Sequence, residues 1–312
     1  MAETFLLEEL RLIPGLRVKV NEPLAPYTSM KIGGPADYFL TISDRAALSQ
    51  TLRALQREGI FFCLLGKGSN VLVSDLGVRG AVLRLDGEFK QRHWHMEEGK
   101  ARVSVGAACS LPQLVREAVK RGFSGLEFAE GIPGTVGGAL VMNAGAYGSE
   151  IEKIVERVEG VTRSGEPVGV DRAEMAFSYR DSHLPAGTIV TEVRLRLSRG
   201  DAAEMNLKIR ELVAKRKKSQ PSGHPNSGSM FRNPPGDFAG RLIEAAGLKG
   251  KIVGRAEISE RHANFIVNLG GASAEDVRGL MEFAQQEVER RFSIRLQPEV
   301  RWLGEWPSGS GM

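Results

Sequence analysis

The sequence has few features of a membrane protein, a secreted protein or a metal-binding protein. It has two cysteines, Cys63 and Cys109, which lie far apart in apolar, strand-like surroundings, so we expect reduced core thiols rather than a disulfide or a metal site. No run of 18 apolar residues occurs, and residues 1–4 lack the basic region of a signal peptide. These absences predict a cytoplasmic globular protein.

Aromatic residues, at 6% of the chain, are also scarce, and the net charge is only +4. Positive charge concentrates in residues 208–261, with 12 Lys or Arg against 5 Asp or Glu, so this stretch could attract an anion. A nucleic-acid interface is weakly supported, because few aromatic residues accompany the basic ones. The alternative for residues 215–218 is a solvated helix face.

Local patterns predict more strands than helices, with a domain boundary near residues 198–200 and no internal repeat. Asp44, Asp237 and Ser273 are the expected caps of three helices. The predicted helices are 44–59, 111–121, 202–218, 238–246 and 273–292. The last one is expected to be amphipathic, with an apolar stripe of Val277, Leu280, Met281, Ala284, Val288 and Phe292. The predicted strands are 60–65, 71–74, 81–85, 101–105, 154–162, 166–170, 188–197, 264–269 and 300–303. Of these, 154–162, 166–170 and 188–197 are expected to be antiparallel.

Glycine, in contrast, is abundant, and it is concentrated in two segments. Residues 66–70 read Gly-Lys-Gly-Ser-Asn after an apolar strand, a pattern in which backbone N–H groups can converge on an anion. The spacing fits neither a P-loop nor a dinucleotide fingerprint, and a tight turn is the alternative. Seven glycines between Gly125 and Gly148 indicate backbone packed against something large and flat. A buried cofactor with a pyrophosphate would fit both segments, and a tight helix–sheet contact is the alternative for the second.

Three single residues are candidates for chemistry. Ser229 could be a nucleophile, with His224 or His262 as its base, or a general acid toward a carbanion, or only a turn residue. Arg180 could clamp a carboxylate or simply pair with a neighbouring acid such as Asp181. Glu299 could be functional or face water.

Taken in order, these motifs resemble the UDP-N-acetylenolpyruvoylglucosamine reductase family over about residues 24–303. Single motifs are modestly specific, and the ordered set is highly specific. The matching segments are 28–34, 65–72, 131–138, 143–148, 179–182, 228–234, 246–250 and 298–300. Only residues 184–187 separate the fifth motif from the next strand, so the chain resembles the subclass without an inserted tyrosine loop.

The resemblance implies an α+β fold with a two-lobed FAD-binding domain of the p-cresol methylhydroxylase type and a smaller C-terminal α+β substrate-binding domain. FAD would be bound non-covalently, since His93 and His95 lie outside the matching motifs. The expected divisions are an N-terminal helical segment 1–24, an FAD-binding domain 25–198 with lobes of about 25–87 and 88–198, a substrate-binding domain 199–304, and a disordered tail 305–312.

The resemblance also implies the reaction. NADPH would reduce the flavin, which would pass hydride to the terminal carbon of the enolpyruvyl group of UDP-N-acetylglucosamine enolpyruvate. Arg180 and Glu299 would orient and polarise the substrate carboxylate, and Ser229 would protonate the adjacent carbon, because an enolate is basic enough to make an alcohol a credible acid. An FAD-linked alcohol oxidase or dehydrogenase of the same flavin fold, or a nucleotide- or RNA-binding module without chemistry, are the alternatives.

The remaining expected site residues follow from motif positions, and no metal is expected. Lys217, Asn233 and Lys249 would lie near the UDP diphosphate, with Arg216 and Lys218 as competitors of Lys217. His262 and Asn264 also match, with packing as their alternative role. The expected FAD-binding residues are Gly66, Lys67, Gly68, Ser69, Asn70, Gly131, Ile132, Pro133, Gly134, Thr135, Gly137, Gly138, Asn143 and Gly145.

Overall fold

The structure, a computed structural model of the chain, describes the backbone of residues 2–307 and side chains from residue 5 onward. Of the predicted tail 305–312, residues 308–312 lie outside the described residues. No helix among those described is long and apolar enough to cross a membrane. The helices are α1 (Ala2–Leu12), α2 (Arg45–Arg57), α3 (Leu111–Lys120), α4 (Val136–Val141), α5 (Ala202–Ser219), α6 (Ala239–Ala245) and α7 (Ala274–Phe292).

Strands outnumber helices, as predicted. The strands are β1 (Leu16–Pro23), β2 (Pro35–Ile42), β3 (Phe62–Leu64), β4 (Val71–Val73), β5 (Val78–Leu85), β6 (Arg92–Glu97), β7 (Lys100–Gly106), β8 (Phe123–Ser124), β9 (Gly145–Ala146), β10 (Ser149–Glu150), β11 (Val155–Val161), β12 (Pro167–Asp171), β13 (Ile189–Arg199), β14 (Asn226–Ser229), β15 (Ile252–Val253), β16 (Ala256–Ile258), β17 (Phe265–Asn268) and β18 (Arg301–Leu303). Nine of these strands lie where no strand was predicted, namely β1, β2, β6, β8, β9, β10, β14, β15 and β16. The segment 1–24 is helical only over its first half.

Helix starts test the capping predictions directly. The Asp44 side chain accepts from Ala47 N at the start of α2, and Ser273 accepts from Asp276 N at the start of α7, so both caps are confirmed. The cap predicted at Asp237 is wrong, because α6 begins two residues later. There Asn233 Oδ1 accepts from Ala239 N at 3.1 Å. Asp237 instead binds the neighbouring Phe238 N and the Arg241 guanidinium.

The chain divides into two compact units, each with its own core. Unit 1 comprises residues 1–19, 38–66 and 81–214, and unit 2 comprises residues 20–37, 67–80 and 215–312. Two early segments of the chain therefore belong to the unit that holds the C-terminal third. The boundary predicted near 198–200 stays a prediction.

Unit 1 contains the larger sheet of the protein and most of a four-stranded sheet. The four-stranded sheet has the order β1-β2-β5-β3, and the larger sheet has the main order β12-β11-β13-β7-β6, with β8 also pairing with β13. All pairs of the larger sheet are antiparallel, as predicted for β11, β12 and β13. Val103, Val105, Val193 and Leu195 point into the core, where α4 packs, because alternate residues of a strand face opposite sides. The opposite face is rich in charge.

Unit 2 is built around a small antiparallel sheet of order β14-β17-β16-β15, against which α7 packs. Its helical stripe is buried, including Val277, Leu280, Met281 and Val288, so the amphipathic pattern predicted for α7 is confirmed. A second pair, β18 and β4, is parallel. This pair brings the last strand of the chain beside the residues that follow the first glycine segment.

Candidate active site

The two glycine segments predicted to bind FAD meet within unit 1. A Cβ atom added to Gly66 would lie 3.0 Å from Thr135 Oγ1, which places the start of the first segment against the middle of the second. Thr135 also caps α4 by accepting from Gly138 N at 3.2 Å. A side chain at residue 66 would therefore crowd the residue that shapes the second segment.

The second segment is held by the backbone of residues 107–111. Val136 N donates to Cys109 O and Gly137 N to Ala107 O, both at 2.9 Å. A Cβ on Gly137 would lie 2.8 Å from that of Ala107, closer than carbon atoms pack. Gly137 therefore allows a close backbone contact, so part of the glycine density serves the helix–sheet contact that was the alternative explanation.

The start of the same segment combines left-handed glycines with a buried carboxylate oxygen that lacks a partner among the described residues. Gly131 and Gly134 have φ of 77° and 146°, conformations that favour glycine. Just before them, Glu130 is buried, with Oε1 3.4 Å from Arg116 Nη2. Its Oε2 atom has no hydrogen-bond partner within the described part of the chain. A buried carboxylate oxygen without a partner is costly, and a ligand hydroxyl would satisfy it.

Asn143, predicted to bind FAD, is fully buried and adopts a left-handed φ of 39°. Its Nδ2 donates to Glu150 Oε2 at 2.9 Å and to Ser178 O at 3.0 Å, while Oδ1 accepts from Glu152 N at 3.3 Å. Its carboxamide thus anchors the two neighbouring loops. Gly145 lies in one of them, paired with Glu150 across the β9–β10 hairpin.

Arg180 lies in a strained two-residue turn of unit 1. Ser178 and Asp181 exchange backbone hydrogen bonds of 2.9 and 3.1 Å around it, and Arg180 has φ of 61°. His183, three residues later, has φ of 47°, and its Nε2 lies 2.8 Å from Ser178 Oγ. Left-handed conformations of non-glycine residues are costly and concentrate at functional sites. The guanidinium lies over the ring of Tyr179, with Cζ 4.9 Å from the centroid.

Ser229 follows an irregularity in the pairing of β14 with β17. The register shifts between Asn226 and Ser229, and Gly228 has φ of 76° with open space where a Cβ would stand. Such a bulge re-aims the next side chain. The Ser229 hydroxyl, on a half-buried residue, makes no hydrogen bond to any group in the described range 2–307.

The backbone that follows Ser229 is clamped by Asn264, which is 3% exposed. Asn264 Oδ1 accepts from Phe231 N at 2.9 Å, and its Nδ2 donates to Phe231 O at 2.8 Å. Its own carbonyl accepts from Met230 N at 2.9 Å. One side chain thereby satisfies both polar groups of a buried residue. The sequence pattern left packing as the alternative for Asn264. Its side chain holds the backbone of Phe231, and a role at the site stays a prediction.

Glu299 lies beside Ser229 in the backbone of unit 2. Its N–H donates to Met230 O at 2.8 Å, and its carbonyl accepts from Asn70 Nδ2 at 3.2 Å. Arg301 N then donates to Asn70 O at 3.0 Å. Three residues predicted from separate motifs, Asn70, Ser229 and Glu299, are thus joined by short backbone links.

The rest of the first glycine segment has a fixed shape. Gly68 is buried with φ of 61°, its carbonyl accepts from Ser29 N at 2.9 Å, and a Cβ there would collide with Tyr27 O. Lys67 is exposed and Ser69 is half-buried.

The remaining predicted residues of the second segment are Ile132, Pro133 and Gly138. Ile132 N donates to Ala129 O at 3.0 Å, and Pro133 and Gly138 are exposed.

The residues predicted near the diphosphate are spread along unit 2. Lys217 is exposed in the last turn of α5, where its carbonyl accepts from Arg261 Nη1 at 3.0 Å. Lys249 Nζ pairs with Glu244 Oε1 at 2.7 Å. The Asn233 side chain caps α6. The structure does not single out Lys217 from its basic neighbours.

The histidines weighed as bases for Ser229 have other surroundings. His262 Nδ1 accepts from Asn264 N at 3.2 Å, and its ring packs on Phe265 with centroids 4.8 Å apart. Burial, followed by the charge of Lys249, lowers the pKa of His262 below its ordinary value. His224 is exposed. With no histidine bonded to the Ser229 hydroxyl among the described residues, the nucleophile alternative lacks its activating base.

Comparison with known proteins identifies the class and then the family. Residues 36–171 match the family model of an FAD-binding domain, and residues 220–303 match the C-terminal domain of UDP-N-acetylenolpyruvoylglucosamine reductase. The protein is therefore an FAD-binding flavoprotein with a specialised C-terminal domain. The α+β fold class and the FAD prediction are confirmed.

Full-length relatives agree. The chain is 48% identical over 94% of its length to UDP-N-acetylenolpyruvoylglucosamine reductase 2 of Symbiobacterium thermophilum, of which the match covers 94%. It is 42% identical to the Halalkalibacterium halodurans reductase, over 96% of this chain and 99% of the relative. The crystal structure of the Thermus caldophilus reductase is 40% identical, with a TM-score of 0.79 over 92% of this chain and 99% of that one. The chain belongs to the UDP-N-acetylenolpyruvoylglucosamine reductase family.

Proposed function

We propose that this protein reduces UDP-N-acetylglucosamine enolpyruvate to UDP-N-acetylmuramate, a peptidoglycan precursor, with NADPH as reductant. The observation that carries the proposal is the link between Ser229 and Glu299 through Met230 on the scaffold shared with the reductases. The glycine segments would hold FAD, whose redox chemistry would connect hydride from NADPH with the enolpyruvyl double bond. The alternative of an FAD-linked alcohol oxidase is not favoured, because full-length relatives are reductases.

Arg180 is proposed to hold the substrate carboxylate. A guanidinium presents a planar pair of donors that matches a carboxylate, and negative charge grows on that carboxylate as hydride reaches the terminal carbon. The strained turn around Arg180 fixes its backbone before substrate arrives, which reduces the entropy lost on binding. Glu299 is proposed to act on the same carboxylate through a hydrogen bond.

Ser229 is proposed to donate its hydroxyl proton to the carbon next to the carboxylate. Together with the hydride at the terminal carbon, this proton converts the C=CH₂ group to CH–CH₃, while NADPH becomes NADP⁺. The bulge at Gly228 re-aims Ser229, and the Asn264 clamp fixes the residues after it. A group positioned in this way protonates without first reorganising its surroundings.

The glycine segments are proposed to hold FAD. The backbone of residues 66–70 would receive the pyrophosphate, because glycine conformations expose N–H groups there. The edge at Gly131–Thr135, with Glu130 before it, would receive polar groups of the cofactor. Asn143 is proposed to contribute through the loops it anchors.

The residues that contact the substrate diphosphate and the compartment in which the protein acts are also proposals. Lys217, Asn233 and Lys249 would contact the diphosphate, since cationic and amide donors suit phosphate oxygens. The reaction is proposed to occur in the cytoplasm. Cys63 and Cys109 form no disulfide in the described part of the chain, in keeping with a reducing compartment.

The half-reactions test the proton donor. We predict that NADPH reduces the flavin of Ser229→Ala at the wild-type rate. Reoxidation of that flavin by the enolpyruvyl substrate should slow by about 10²–10⁴-fold, the usual contribution of a general acid. Flavin absorbance in anaerobic stopped-flow measures both steps.

Ser227→Ala is the matched control, two residues away on the same strand. Ser227 Oγ donates to Val71 O at 3.3 Å, so its loss should lower stability by about 1 kcal/mol and leave both half-reactions intact. Equal slowing of both half-reactions in Ser229→Ala would remove Ser229 from the proton-donor role. A purified protein without flavin absorbance would contradict the proposed function as a whole.

A further inference from the structure

The charged face of the six-stranded β6–β13 sheet in unit 1 contains a groove that the proposed reaction does not use. Its volume is about 870 Å³, within the range of about 300–1,000 Å³ typical of small-ligand sites. Seven Lys or Arg side chains line it against two carboxylates. These are Lys100, Arg102, Lys153, Arg157, Arg172, Arg194 and Arg196 against Glu156 and Asp171.

Strand register places four of these arginines in unfavourable pairs. Arg196 on β13 lies directly opposite Arg102 on β7, and Arg194 on β13 lies directly opposite Arg157 on β11. Like charges in directly opposed positions of an antiparallel pair repel, because their Cβ atoms are only about 4.5–5.5 Å apart. The sheet maintains this arrangement twice on one face.

Carboxylates offset part of this repulsion. Glu156 lies 2.9 Å from Arg102 Nε and 3.7 Å from Arg196 Nε. Asp171 lies 2.8 Å from Arg157 Nη1. Further carboxylates at the margins of the groove, Glu97, Glu152 and Glu159, pair with Arg102, Arg172 and Arg157.

Three cations remain without a carboxylate among the described residues. Arg194 is half-buried and has no recorded hydrogen bond or ion pair in that range, although a guanidinium carries five donors. Lys100 is exposed at the start of β7 and is likewise unpaired. Lys153 Nζ donates to Gly148 O at 2.9 Å, an uncharged partner. The positive charge is thus least compensated at Arg194.

The spacing of these cations indicates the shape of the missing anion. Lys100 pairs with Ser198, four residues along β13 from Arg194, which corresponds to about 14 Å at roughly 3.4 Å per residue. A chain of linked phosphates can span the distance between these two residues better than a single phosphate can. The hydroxyls of Ser124 and Ser198 add polar groups along the groove.

We propose that this groove binds a small anion with two or more linked phosphates, with Arg194 as the central contact and Lys100 at one end. Arginine suits this ligand because its planar donors bind phosphate oxygens bidentately. The bound anion would neutralise the Arg194–Arg157 pair. The phosphates could come from a nucleotide or from an inorganic polyphosphate chain.

Calorimetric titration of the FAD-loaded protein with inorganic tripolyphosphate at low salt tests the proposal. We expect saturable binding in the wild type, affinity lowered by at least about tenfold in Arg194→Ala, and a smaller loss in Lys100→Ala. Arg53→Ala is the control, because Arg53 is an exposed arginine of unit 1 outside the groove, paired with Glu166 at 3.7 Å. Its affinity should equal that of the wild type.

A parallel titration with ATP distinguishes the sources. Equal affinities for ATP and tripolyphosphate would show recognition of the phosphate chain alone, and tighter binding of ATP would show that the nucleoside contributes. Wild-type affinity in Arg194→Ala, or no binding by the wild type, would overturn the proposal. Arg194-dependent binding of single-stranded DNA more than tenfold tighter than that of ATP would also overturn it, because it would indicate a macromolecular ligand.

Thermal unfolding and the Lys100→Ala variant keep the test independent of folding and catalysis. Thermal unfolding should show that Arg194→Ala is at least as stable as the wild type without ligand, since a repulsive pair is removed. Should it fail to fold, Lys100→Ala, altered only at an exposed strand end, decides. The readout is binding, so a failed reductase assay leaves its outcome unaffected.

Discussion

Two regions proposed to serve the same reaction are shaped by opposite means. In unit 1, the second glycine segment lies against residues 107–111 because side chains are missing, and a single added carbon at Gly137 would collide. In unit 2, the backbone after Ser229 is held because a side chain is present, with Asn264 bonded to both polar groups of Phe231. At Gly137 the close contact is made by backbone groups and depends on a missing side chain. After Ser229 the contact depends on the hydrogen bonds of one side chain.

The difference matches the two proposed tasks. A large cofactor is recognised over an extended surface, so close backbone approach serves it well. Proton transfer depends on one oxygen placed within a fraction of an ångström, so rigid buried hydrogen bonds serve that task. Substitutions should therefore affect flavin content in the first region and local stability in the second.

The largest effect is expected for Asn264→Ala. It leaves Phe231 N and O buried without partners, at about 1–3 kcal/mol each, so we expect a loss of about 2–6 kcal/mol in the stability of unit 2. Hydrogen exchange of peptides from each unit measures this. Asn206→Ala, which removes an exposed asparagine bonded to Ala202 O, is the control and should change little. If Asn264→Ala changed the exchange protection of both units equally, the contrast between the two regions would be contradicted.

Gly137→Ala should have the next largest effect. Its Cβ would lie 2.8 Å from the Ala107 Cβ, so we expect overpacking of about 1–3 kcal/mol and a lower ratio of flavin to protein absorbance. Gly138→Ala is the matched neighbour. Its Cβ would lie 3.3 Å from Thr135 Oγ1, and alanine favours α4, so stability should hardly change. Equal losses in the two variants would contradict the role of the Ala107 contact.

A smaller effect of opposite sign is expected for Arg180→Gly. Glycine relieves a left-handed φ of 61° that costs about 1–2 kcal/mol, while its greater freedom when unfolded returns about 0.5–1 kcal/mol. Urea unfolding should show a gain of up to about 1 kcal/mol, together with loss of reductase activity. Arg180→Lys keeps the strain and should also be inactive, since a point charge cannot replace a planar fork. Near-normal turnover of Arg180→Lys would remove Arg180 from the site.

The smallest effect concerns pH. Burial lowers the pKa of His262 in the folded state, so above its ordinary pKa of about 6.5 both states carry a neutral ring. As pH falls through that value the unfolded state binds a proton that the folded state resists, so stability decreases until the folded pKa is passed. Urea midpoints between about pH 5 and 8 should show this slope in the wild type and a flatter one in His262→Gln. Identical slopes would contradict the assignment to His262.

The candidate motifs could be recognised from the sequence because they are local. The glycine segments and the motifs 179–182 and 228–234 are each defined within a few residues, whereas the turn at Arg180 and the bulge at Gly228 were found only in the structure. Asn264 was only partly anticipated, because its partner Phe231 is 33 residues away and nothing in either segment names the other. Asp237 was predicted as a cap for the same reason, since the group that caps Ala239 comes from Asn233, six residues before it.

By itself, the sequence determined the helix caps at Asp44 and Ser273, the buried stripe of α7, the two glycine segments and the family, because each rests on neighbouring residues or ordered motifs. Only the tertiary structure decided that Gly66 meets Thr135, that Asn70 and Met230 flank Glu299, and that arginines oppose one another across the large sheet. Such pairings depend on strand register and loop packing. These are set by the burial of whole faces rather than by any local run of residues.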